Sequence, residues 1–360
     1  MTSLSDKDIL FLVPSTRYQG SKRKVLPWIY DNLKTLPFNT VLDGFGGTGS
    51  VSYLFKLMGK KITFNDILLS NYVSGVALIE NDSTTLNEND LEFIFHRNGF
   101  KYSNFIENTF KEIYYTSKEN RLLDVMSLNI KMLPEKYKED ILHKKQALAY
   151  YILFQSCLCK RPFNLFHRKN LSLRTARNIN RNFGNKKTWD TSFNKLMMRF
   201  NKEISGKIFS NGFKNEAISQ DILHMEKVKC DLVYLDPPYA KVDEKKPKDY
   251  HELYHFLDGL IDYSNWAGKI DSNTKNKRLV KQKNRWNEGK IENNFDVLFK
   301  KFKDSIIVVS YGDPGYPSIT KIKDILKCYK KKVKVLRKEY SYKLSRRNGN
   351  RLYEVLLIGE

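Results

Sequence analysis

Four consecutive residues, Asp236, Pro237, Pro238 and Tyr239, have the types and the spacing that chemistry on a planar ligand would need. They follow the apolar run Leu232–Leu235, which predicts a short buried strand. Proline has no N–H to donate to a strand ladder, so the two prolines must end the strand at Asp236 and leave a stiff turn at its carboxyl end. In open α/β sheets, that end of a strand is where ligands bind.

This turn offers two hydrogen-bond acceptors at a fixed spacing. One is the Asp236 carboxylate, and the other is the backbone carbonyl of Asp236 or Pro237. Two such acceptors match the two N–H bonds of an amino group on a planar ring, and the Tyr239 ring can stack on the base that carries it, which is worth about 1–3 kcal/mol. The alternative is a purely structural turn, in which Asp236 is a cap and Tyr239 packs in the interior.

A glycine-rich turn earlier in the chain predicts a nucleotide-type site. Thr40–Gly44 is a predicted strand, and a helix is predicted to follow the turn through Met58. Glycines let the backbone approach a ligand closely, and the start of the helix presents free N–H groups. The spacing is not the dinucleotide fingerprint, and the absence of a lysine after Gly49 excludes a P-loop. We call this turn the glycine loop; it comprises Asp43, Gly44, Phe45, Gly46, Gly47, Thr48 and Gly49.

Three acidic residues are candidates for holding the rest of a nucleoside. Asp43 ends the first strand and can bind an amino group of the ligand. Lys61–Phe64 is a second predicted strand, and Asp66 just after it is placed to accept both hydroxyls of a ribose. Asp221 can accept the amine of a bound adenosine. Together they predict a nucleoside site that does not need a phosphate; the alternative for Asp66 is that it only caps the next helix.

The elements that must position these residues alternate between strands and helices, which predicts an α/β sheet. Further strands are predicted at Ile208–Phe213, Ala217–Ser219 and Ser305–Ser310. Lys332–Arg337 and Leu352–Ile358 are predicted to form a closing antiparallel pair. Between the second strand and residue 205 the pattern is instead helical, with helices predicted over Asp90–Tyr115, Leu122–Met132 and Ile141–Leu158.

A basic run follows these helices and predicts contact with DNA. The run begins at Lys160 and continues through Lys187, and Phe163 and Phe166 are interleaved with its cations. Asp190 is the acid that opposes this charge. Cations suit phosphates, Arg and Asn suit base edges, and an aromatic ring can fill a vacated base stack. The alternative is a solvated loop with a few core anchors. The candidate DNA-binding residues are Lys160, Arg161, Asn164, His167, Arg168, Lys169, Arg174, Arg177 and Arg181.

The composition agrees with a polyanionic partner. The 360 residues carry 63 Lys and Arg against 40 Asp and Glu, a net charge of +23, which favours nucleic acid as a ligand. A lysine-rich, AT-biased genome explains part of this excess. No apolar run reaches the 18 residues that a membrane span needs, and no signal peptide is expected at the N-terminus. The four scattered cysteines and six histidines form no metal motif, so a metal-dependent hydrolase is not supported and a cytoplasmic location is expected.

These motifs, in their order along the chain, resemble the α group of adenine-specific (N6) DNA methyltransferases. The resemblance is carried by Arg17–Lys22, Asp43–Gly49, Asn65–Asp66 and Asp236–Tyr239. The stretch Arg161–Arg168 further resembles methyltransferases of type IIS restriction–modification systems. Two positions depart from the common pattern, since Gly44 stands where many relatives have proline and Tyr18 where some have tryptophan.

The resemblance implies an α/β, Rossmann-like S-adenosylmethionine-dependent methyltransferase sheet with an inserted, mostly helical DNA-recognition domain. The catalytic domain is expected at residues 1–85 and 205–360, with a polar insertion at about 241–301 that orders when substrate binds. The recognition domain is expected at residues 86–204. A monomer or weak dimer that binds double-stranded DNA is expected. A cognate restriction endonuclease that acts separately is a further candidate partner.

The resemblance also implies roles for single residues. Tyr18, Lys22 and the glycine loop hold S-adenosyl-L-methionine, with Lys22 near its carboxylate, and Asp236 lies beside the cofactor. Asp66 takes the ribose and Asp221 the adenine of the cofactor. Asp236 and the Pro237 carbonyl bind the amino group of a flipped adenine, on which Tyr239 stacks. The alternatives are an RNA or protein-glutamine methyltransferase, or a non-catalytic DNA-binding subunit.

Overall fold

The computed structural model describes residues 4–134, 136–176, 186–240, 242–243, 247–281, 286, 290–339 and 352–360. Its centre is a sheet of seven strands. In chain order they are β1 (Thr40–Asp43), β2 (Lys61–Asn65), β3 (Glu216–Ile218), β4 (Leu232–Leu235), β5 (Ile306–Asp313), β6 (Val333–Glu339) and β7 (Tyr353–Gly359). The strand order across the sheet is β3-β2-β1-β4-β5-β7-β6. Strands β1 to β5 pair in parallel, and β7 is antiparallel to both of its neighbours.

Helices cover both faces of this sheet. In the first part of the chain they are α1 (Asp6–Leu12), α2 (Leu26–Leu33), α3 (Ser50–Leu57), α4 (Leu69–Gly75), α5 (Glu88–Phe95), α6 (Phe105–Thr109) and α7 (Ser117–Lys131). They continue with α8 (Glu139–Cys159), α9 (Ser172–Thr175), α10 (Lys186–Asp190), α11 (Phe193–Ser205), α12 (Tyr250–Ile261), α13 (Ile291–Lys301) and α14 (Ile319–Lys327). A 3₁₀ turn, Lys22–Val25, leads into α2, and further 3₁₀ turns lie at Pro162–Asn164 and Trp266–Lys269.

The sheet reverses its winding direction between β1 and β4, and this creates a crevice. From β1 the chain proceeds outward to β2 and β3, and it then returns to place β4 and β5 on the other side of β1. Asp43 at the end of β1 is in register with Tyr234 of β4, and the Gly44 N–H donates to the Tyr234 carbonyl at 2.9 Å. Connections that leave in opposite directions from neighbouring strands open a ligand crevice at their carboxyl ends.

Successive residues of β4 point to opposite faces and so enter two different cores. Leu232 and Tyr234 belong to the larger core, while Val233 and Leu235 belong to the smaller one, and all four are fully buried. A continuous apolar run is expected for a strand that is covered on both faces. Burial on both sides fixes the position of Asp236, which follows directly.

Five predicted strands and the closing antiparallel pair are confirmed, but Ile208–Phe213 is not a strand. Ile208 and Phe209 pack on the core instead, with the Phe209 and Tyr53 rings in edge-on contact at a centroid distance of 5.6 Å, whereas Phe213 is exposed. The adjacent edge of β2 pairs with the short strand β3 over Thr63–Asn65. The apolar side chains that led to a predicted strand at 208–213 therefore contribute to core packing and not to a hydrogen-bonded ladder.

The segment at 241–301 differs from the polar insertion that the sequence predicts. Helix α12 is buried over most of its length, and Trp266 just after it is completely inaccessible to solvent. Their side chains lie in the same core as β1, β2 and the helices of residues 86–204. That core is continuous, so the described helices of residues 86–204 pack on the catalytic sheet and share its interior.

Within the described residues, no helix is both long enough and apolar enough to span a membrane. In the same part of the chain, no three His, Cys, Asp or Glu side chains are grouped as ligands for a metal ion.

Candidate active site

A cavity at the carboxyl ends of the strands brings the separated motifs together. It encloses about 1060 Å³ of empty space, its open mouth included. The predicted residues that line it are Tyr18, Lys22, Asp43, Gly44, Phe45, Gly46, Gly47, Thr48, Asp66, Asp221, Asp236, Pro237, Pro238 and Tyr239. Gly49, the last residue of the glycine loop, does not line the cavity and directly precedes the first residue of α3.

The carboxylate of Asp236 is held by an ion pair. Lys22 Nζ lies 2.9 Å from Asp236 Oδ1 and 3.2 Å from Oε1 of Glu354, a residue of β7. All three side chains are mostly buried, with exposed fractions of 8% for Lys22, 19% for Asp236 and 9% for Glu354. The resemblance implies that Lys22 lies near the carboxylate of the cofactor; in the structure its ammonium lies between two carboxylates of the protein.

This pairing shapes the ionisation of both partners. Burial raises the pKa of Asp236 to about 6, Lys22 opposes that rise, and the charge of Glu354 adds to it. Burial disfavours the charged form of Lys22, but the two carboxylates more than compensate and raise its pKa well above the ordinary value. At neutral pH and above, Asp236 is therefore an ionised acceptor beside a protonated lysine.

Backbone geometry in the glycine loop depends on the absence of side chains. A Cβ on Gly46 would lie 2.1 Å from the Phe64 ring, so this position must be glycine for the loop to pack on β2. Gly47 has a left-handed backbone with a φ of +56°, and its N–H donates to Asp66 Oδ2 at 2.8 Å. The loop is thus held against Asp66, whose other oxygen accepts the Leu68 N–H at 2.9 Å.

Two acids in the cavity are costly to bury. Asp43 Oδ2 accepts from the Ser52 hydroxyl at 2.6 Å, but Oδ1 is buried and has no partner. Burial raises the pKa of Asp43 to about 7 and that of Asp66 to about 6, against the hydrogen bonds that favour their ionised forms. A buried carboxylate oxygen without a partner fits a site that is completed by a cationic or N–H-bearing ligand.

Aromatic rings line the other walls of the cavity. Tyr18 stacks on Tyr254 with ring centroids 4.1 Å apart, and Tyr250 lies parallel to both. Across the cavity, the Tyr239 ring lies so close to the strand β5 that a Cβ on Gly312 would be 2.9 Å from it. Glycine at 312 is therefore what allows Tyr239 to occupy its position after the proline turn.

Trp286 connects the proline turn to the glycine loop. Its Nε1–H donates to the Pro238 carbonyl at 2.8 Å, and its ring meets Phe45 edge-on at a centroid distance of 5.1 Å. Trp286 is buried and also contacts Phe295 of α13. With the Pro238 carbonyl engaged in this way, the carbonyls that precede it keep their place at the cavity.

Asp221 and Asn65 hold the loop that follows β3. Asp221 Oδ1 accepts the Leu223 N–H at 3.0 Å and fixes the turn in which it lies. Asn65 donates to the Gly44 and Gln220 carbonyls at 3.1 Å each, so it joins the glycine loop to the segment that carries Asp221.

Comparison with known proteins identifies the family. The model of the D12 class N6 adenine-specific DNA methyltransferases matches residues 18–311, more than half of the chain. The chain belongs to this family. It is accordingly an N6 adenine-specific DNA methyltransferase, and the resemblance seen in the sequence motifs is confirmed.

Individual relatives of this D12 class methyltransferase include enzymes of different length. Type II methyltransferase M2.HphI of Haemophilus parahaemolyticus is 27% identical over 351 residues, which cover 96% of this chain and 97% of the relative. Modification methylase StsI of Streptococcus sanguinis is 26% identical over 86% of this chain, and type II methyltransferase M.FokI of Planomicrobium okeanokoites is 27% identical over 87%. The alignments cover 46% and 47% of those two relatives, so the chain spans about half their length.

Three of the methyltransferase's predicted DNA-binding cations are buried and do not fit that role. Lys160, Arg161 and Arg174 are between 2% and 7% exposed. Lys160 and Arg174 both pair with Glu119, with N–O distances of 2.9 and 2.8 Å. The Arg161 guanidinium donates to the carbonyl oxygens of Tyr114, Leu165 and Arg168 and to Asn170 Oδ1. These cations stabilise the fold, because their charges are already satisfied inside it.

The remaining predicted DNA contacts divide into two groups. Arg168 and Lys169 are exposed, and Asn164 and His167 are half-buried. Arg177 and Arg181 lie outside the described residues.

Several residues that line or support the cavity are absent from the sequence predictions. For Glu354 a signal was present, since it is a single acid inside the apolar run 352–358. Tyr250, Tyr254 and Trp286 lie in the segment at 241–301, which the sequence predicts as a polar insertion beside the active site without a role for these three residues. Their positions follow from packing between distant parts of the chain.

Proposed function

We propose that this methyltransferase transfers the methyl group of S-adenosyl-L-methionine to N6 of an adenine that is flipped out of duplex DNA into the cavity between β1 and β4. The observation that supports this most directly is that the Asp236 carboxylate and the glycine loop line the same cavity. The loop is suited to the cofactor, and the carboxylate to the amino group that receives the methyl.

The charges of the cavity fit a cationic cofactor. Asp43, Asp66, Asp221 and Asp236 line it, and the buried Asp43 Oδ1 lacks a partner inside the protein. We assign Asp43 to the ammonium group of the cofactor, Asp66 to its ribose and Asp221 to its adenine, with Tyr18 packing nearby. Acidic groups of this kind favour a ligand that carries a sulfonium and an ammonium charge.

A cluster of hydroxyl groups is our candidate for the carboxylate of the cofactor, since Lys22 is already paired. Ser50 Oγ lies 2.9 Å from Thr48 Oγ1 and 3.4 Å from Ser21 Oγ. All three residues line the cavity, and Ser50 is the first residue of α3. Hydroxyls and free N–H groups at a helix N-terminus are suited to an anionic group.

The proline turn is suited to activating the target amine. Adenine N6 is a poor nucleophile because its lone pair is delocalised into the ring. In our proposal Asp236 Oδ2 and the Pro237 carbonyl accept the two N6 hydrogens, which favours a pyramidal nitrogen and stabilises the positive charge that develops on it. When bound, S-adenosylmethionine supplies the electrophilic methyl group, and the walls of the cavity align N6 with it.

Base flipping and DNA binding are assigned to the surface around the cavity. Flipping costs a few kcal/mol of lost stacking, which Tyr239 offsets in part by stacking on the extruded adenine. We propose that residues 86–204 form the target-recognition region. Within it, Arg168, Lys169, Asn164 and His167 are the described residues that we assign to DNA contact.

We also propose that methylation by this chain protects DNA in a restriction–modification system. The names of HphI and FokI enzymes among its relatives describe type II methyltransferases. An endonuclease with the same recognition sequence would then act separately on unmethylated DNA.

The test is to incubate the purified protein with plasmid DNA and S-adenosylmethionine labelled in the methyl group, and to map the modified bases. We expect N6-methyladenine at one short sequence motif. RNA and total protein serve as competing substrates in parallel. Label in RNA, in glutamine side chains or at cytosine would contradict the proposed substrate.

The role of Asp236 is tested by Asp236→Ala in the same assay. We expect methyl transfer to fall by at least about 1000-fold, because removal of one preorganised group at the reacting centre typically costs 100- to 1000-fold and this one also leaves Lys22 unpaired. Asp304→Ala is the matched control, since Asp304 is an exposed acid near the opposite ends of the strands, paired with Lys227. An Asp236→Ala variant with full activity would refute the assignment.

A further inference from the structure

Glu354 occupies an unusual position for an acid. It lies in β7, where it is in register with Gly312 of β5, and five residues that follow it in this strand are buried. Its side chain is only 9% exposed. Ser310, on the same face of the sheet, donates its hydroxyl to Glu354 Oε1 at 2.7 Å. A buried acid in a core strand destabilises the fold unless it is paired, so its partners indicate its role.

The partner of Glu354 is the same lysine that holds Asp236. Lys22 Nζ reaches Glu354 Oε1 at 3.2 Å and Asp236 Oδ1 at 2.9 Å. An ammonium group has three N–H bonds and rotates freely about its carbon–nitrogen bond. With only one carboxylate in reach, it would bridge both oxygens of Asp236.

We propose that Glu354 is a positioning residue for methyl transfer, which holds Lys22 to one oxygen of Asp236 and thereby leaves the other oxygen open to the target amino group. The inference rests on the proposed role of Asp236. Glu354 itself does not touch the substrate; it acts through Lys22. Ser310 in turn fixes the orientation of the Glu354 carboxylate.

The charge of Glu354 adds a second effect. Lys22, Asp236 and Glu354 together carry one excess negative charge beside the place where positive charge develops on N6. In a buried site such a charge stabilises the transition state more than it would in water. Neutralising Glu354 removes this excess and also frees Lys22 to move.

The same charge contributes to the titration of Asp236, which gives the inference a specific readout. The titratable groups that face Asp236 are Lys22 before α2, Glu354 on β7, Asp43 on β1, and the tyrosines Tyr234 and Tyr239. Burial raises the pKa of Asp236 to about 6, and Glu354 contributes to that rise. Without the charge of Glu354, Asp236 ionises at lower pH. The acidic limb of the pH profile then moves to lower pH.

The experiment compares Glu354→Gln with Glu360→Gln in the full chain. Glu360 is the residue that follows β7, and in the described part of the chain its side chain forms an ion pair with the exposed Lys332 at the surface. For Glu354→Gln we expect kcat to fall about 10- to 100-fold, as is typical when a group that orients another is removed. The dissociation constants for S-adenosylmethionine and DNA should change less than about threefold, and the acidic limb of kcat/KM should shift to lower pH. Glu360→Gln should match the unmodified protein in all of these measurements.

Ser310→Ala provides a second variant with a milder change. Because it removes one hydrogen bond to Glu354 and no charge, we expect a smaller fall in kcat with unchanged ligand binding. If Glu354→Gln does not fold, as judged by circular dichroism, Ser310→Ala decides the question, and an unchanged kcat in that variant overturns the inference.

Other outcomes also overturn it. They are a Glu354→Gln variant with normal kcat, one whose acidic limb does not move, and one whose loss of rate follows entirely from weaker cofactor or DNA binding. Failure of the proposed function gives a different result, because the unmodified chain would then place no methyl group on adenine N6. If the unmodified chain methylates N6 normally and Glu354→Gln has the same kcat and pH profile, only the role of Glu354 is rejected.

Discussion

At the scale of single residues, Asp43 shows how the site trades stability for ligand binding. Its Oδ1 atom is buried without a partner, which a residue selected for stability alone would avoid. Burial raises the pKa of this carboxyl group to about 7, whereas in an unfolded chain it is about 3.9. As pH rises between these values, the unfolded state loses its proton first, so the folded state loses stability.

Asp43→Asn should therefore stabilise the ligand-free protein at alkaline pH. We expect its melting temperature at pH 8 to exceed that of the unmodified chain, with a gain in the free energy of unfolding on the order of 2 kcal/mol. The difference between the two proteins should vanish toward pH 4. Cofactor affinity should fall at least tenfold, because the carboxylate that we assign to the ammonium group is gone. Thermal melts at several pH values and titration calorimetry measure the two effects.

The control for this variant is Asp324→Asn, an exposed acid on α14. It should change neither the melting temperature nor cofactor affinity appreciably, since surface substitutions usually stay within about 0.5 kcal/mol. A lower melting temperature for Asp43→Asn at pH 8 would show that the unpaired oxygen does not carry the cost that we assign to it.

At the scale of elements, the site depends on how segments from different parts of the sequence meet. The parallel strands β1, β2 and β4 place Asp43, Asp66 and Asp236 on the same side of the molecule, because the carboxyl ends of these strands all point the same way. The walls come from α12 and from Trp286, which belong to the segment between β4 and β5. That segment is thus part of the site.

Trp286→Phe tests whether the contact between this segment and the proline turn matters for the rate. The variant keeps a ring against Phe45 but loses the Nε1–H that donates to the Pro238 carbonyl. A hydrogen bond of this kind contributes about 1 kcal/mol, so we expect kcat to fall roughly 5- to 10-fold with nearly unchanged cofactor affinity. Single-turnover methylation measures this rate.

Trp28→Phe, on α2 and away from the cavity, is the matched control and should keep the full rate. An unchanged rate in Trp286→Phe would mean that the proline turn holds its position without this hydrogen bond.

At the scale of the whole molecule, the net charge of +23 does not act as one uniform field. Some cations, such as Lys160, Arg161 and Arg174, are used to hold the helices of residues 86–204 together. Others, such as Arg168 and Lys169, are exposed in the loop between Arg161 and Arg174. The first kind stabilises the fold, and only the second is available to phosphates.

Replacing Arg168 and Lys169 together by alanine should weaken DNA binding in a salt-dependent way. Each lost phosphate contact lowers the slope of log K against log salt by about 0.9, so we expect a total decrease of about 2. The melting temperature should stay close to that of the unmodified chain. Fluorescence anisotropy at several salt concentrations measures the slope.

Two comparisons isolate this effect. Lys321→Ala with Lys327→Ala removes the same charge from the exposed side of α14 and should leave the slope unchanged. Arg161→Ala should instead lower stability by about 3–5 kcal/mol, because it leaves several buried acceptors unpaired. Equal slopes for the unmodified chain and the Arg168 and Lys169 double variant would remove this loop from the DNA interface.

Much of the fold and the motifs of the site could be predicted from the sequence. Apolar runs that end in Asp43 and Asp236 predict strands locally, and glycine and proline fix the turns after them through their own backbone chemistry. The order of these motifs was enough to indicate the family. Local patterns succeed here because each depends on only a few consecutive residues.

Only the tertiary structure decided which side chains are partners. The contacts of Lys22 with Asp236 and Glu354 join the start, middle and end of the chain, and no local pattern encodes them. The burial of Arg161 likewise depends on helices that surround it, so a cation that looked available to DNA proved to be structural. Pairing and burial are set by long-range packing. The charge in the sequence therefore indicated DNA as a partner but not the residues that contact it.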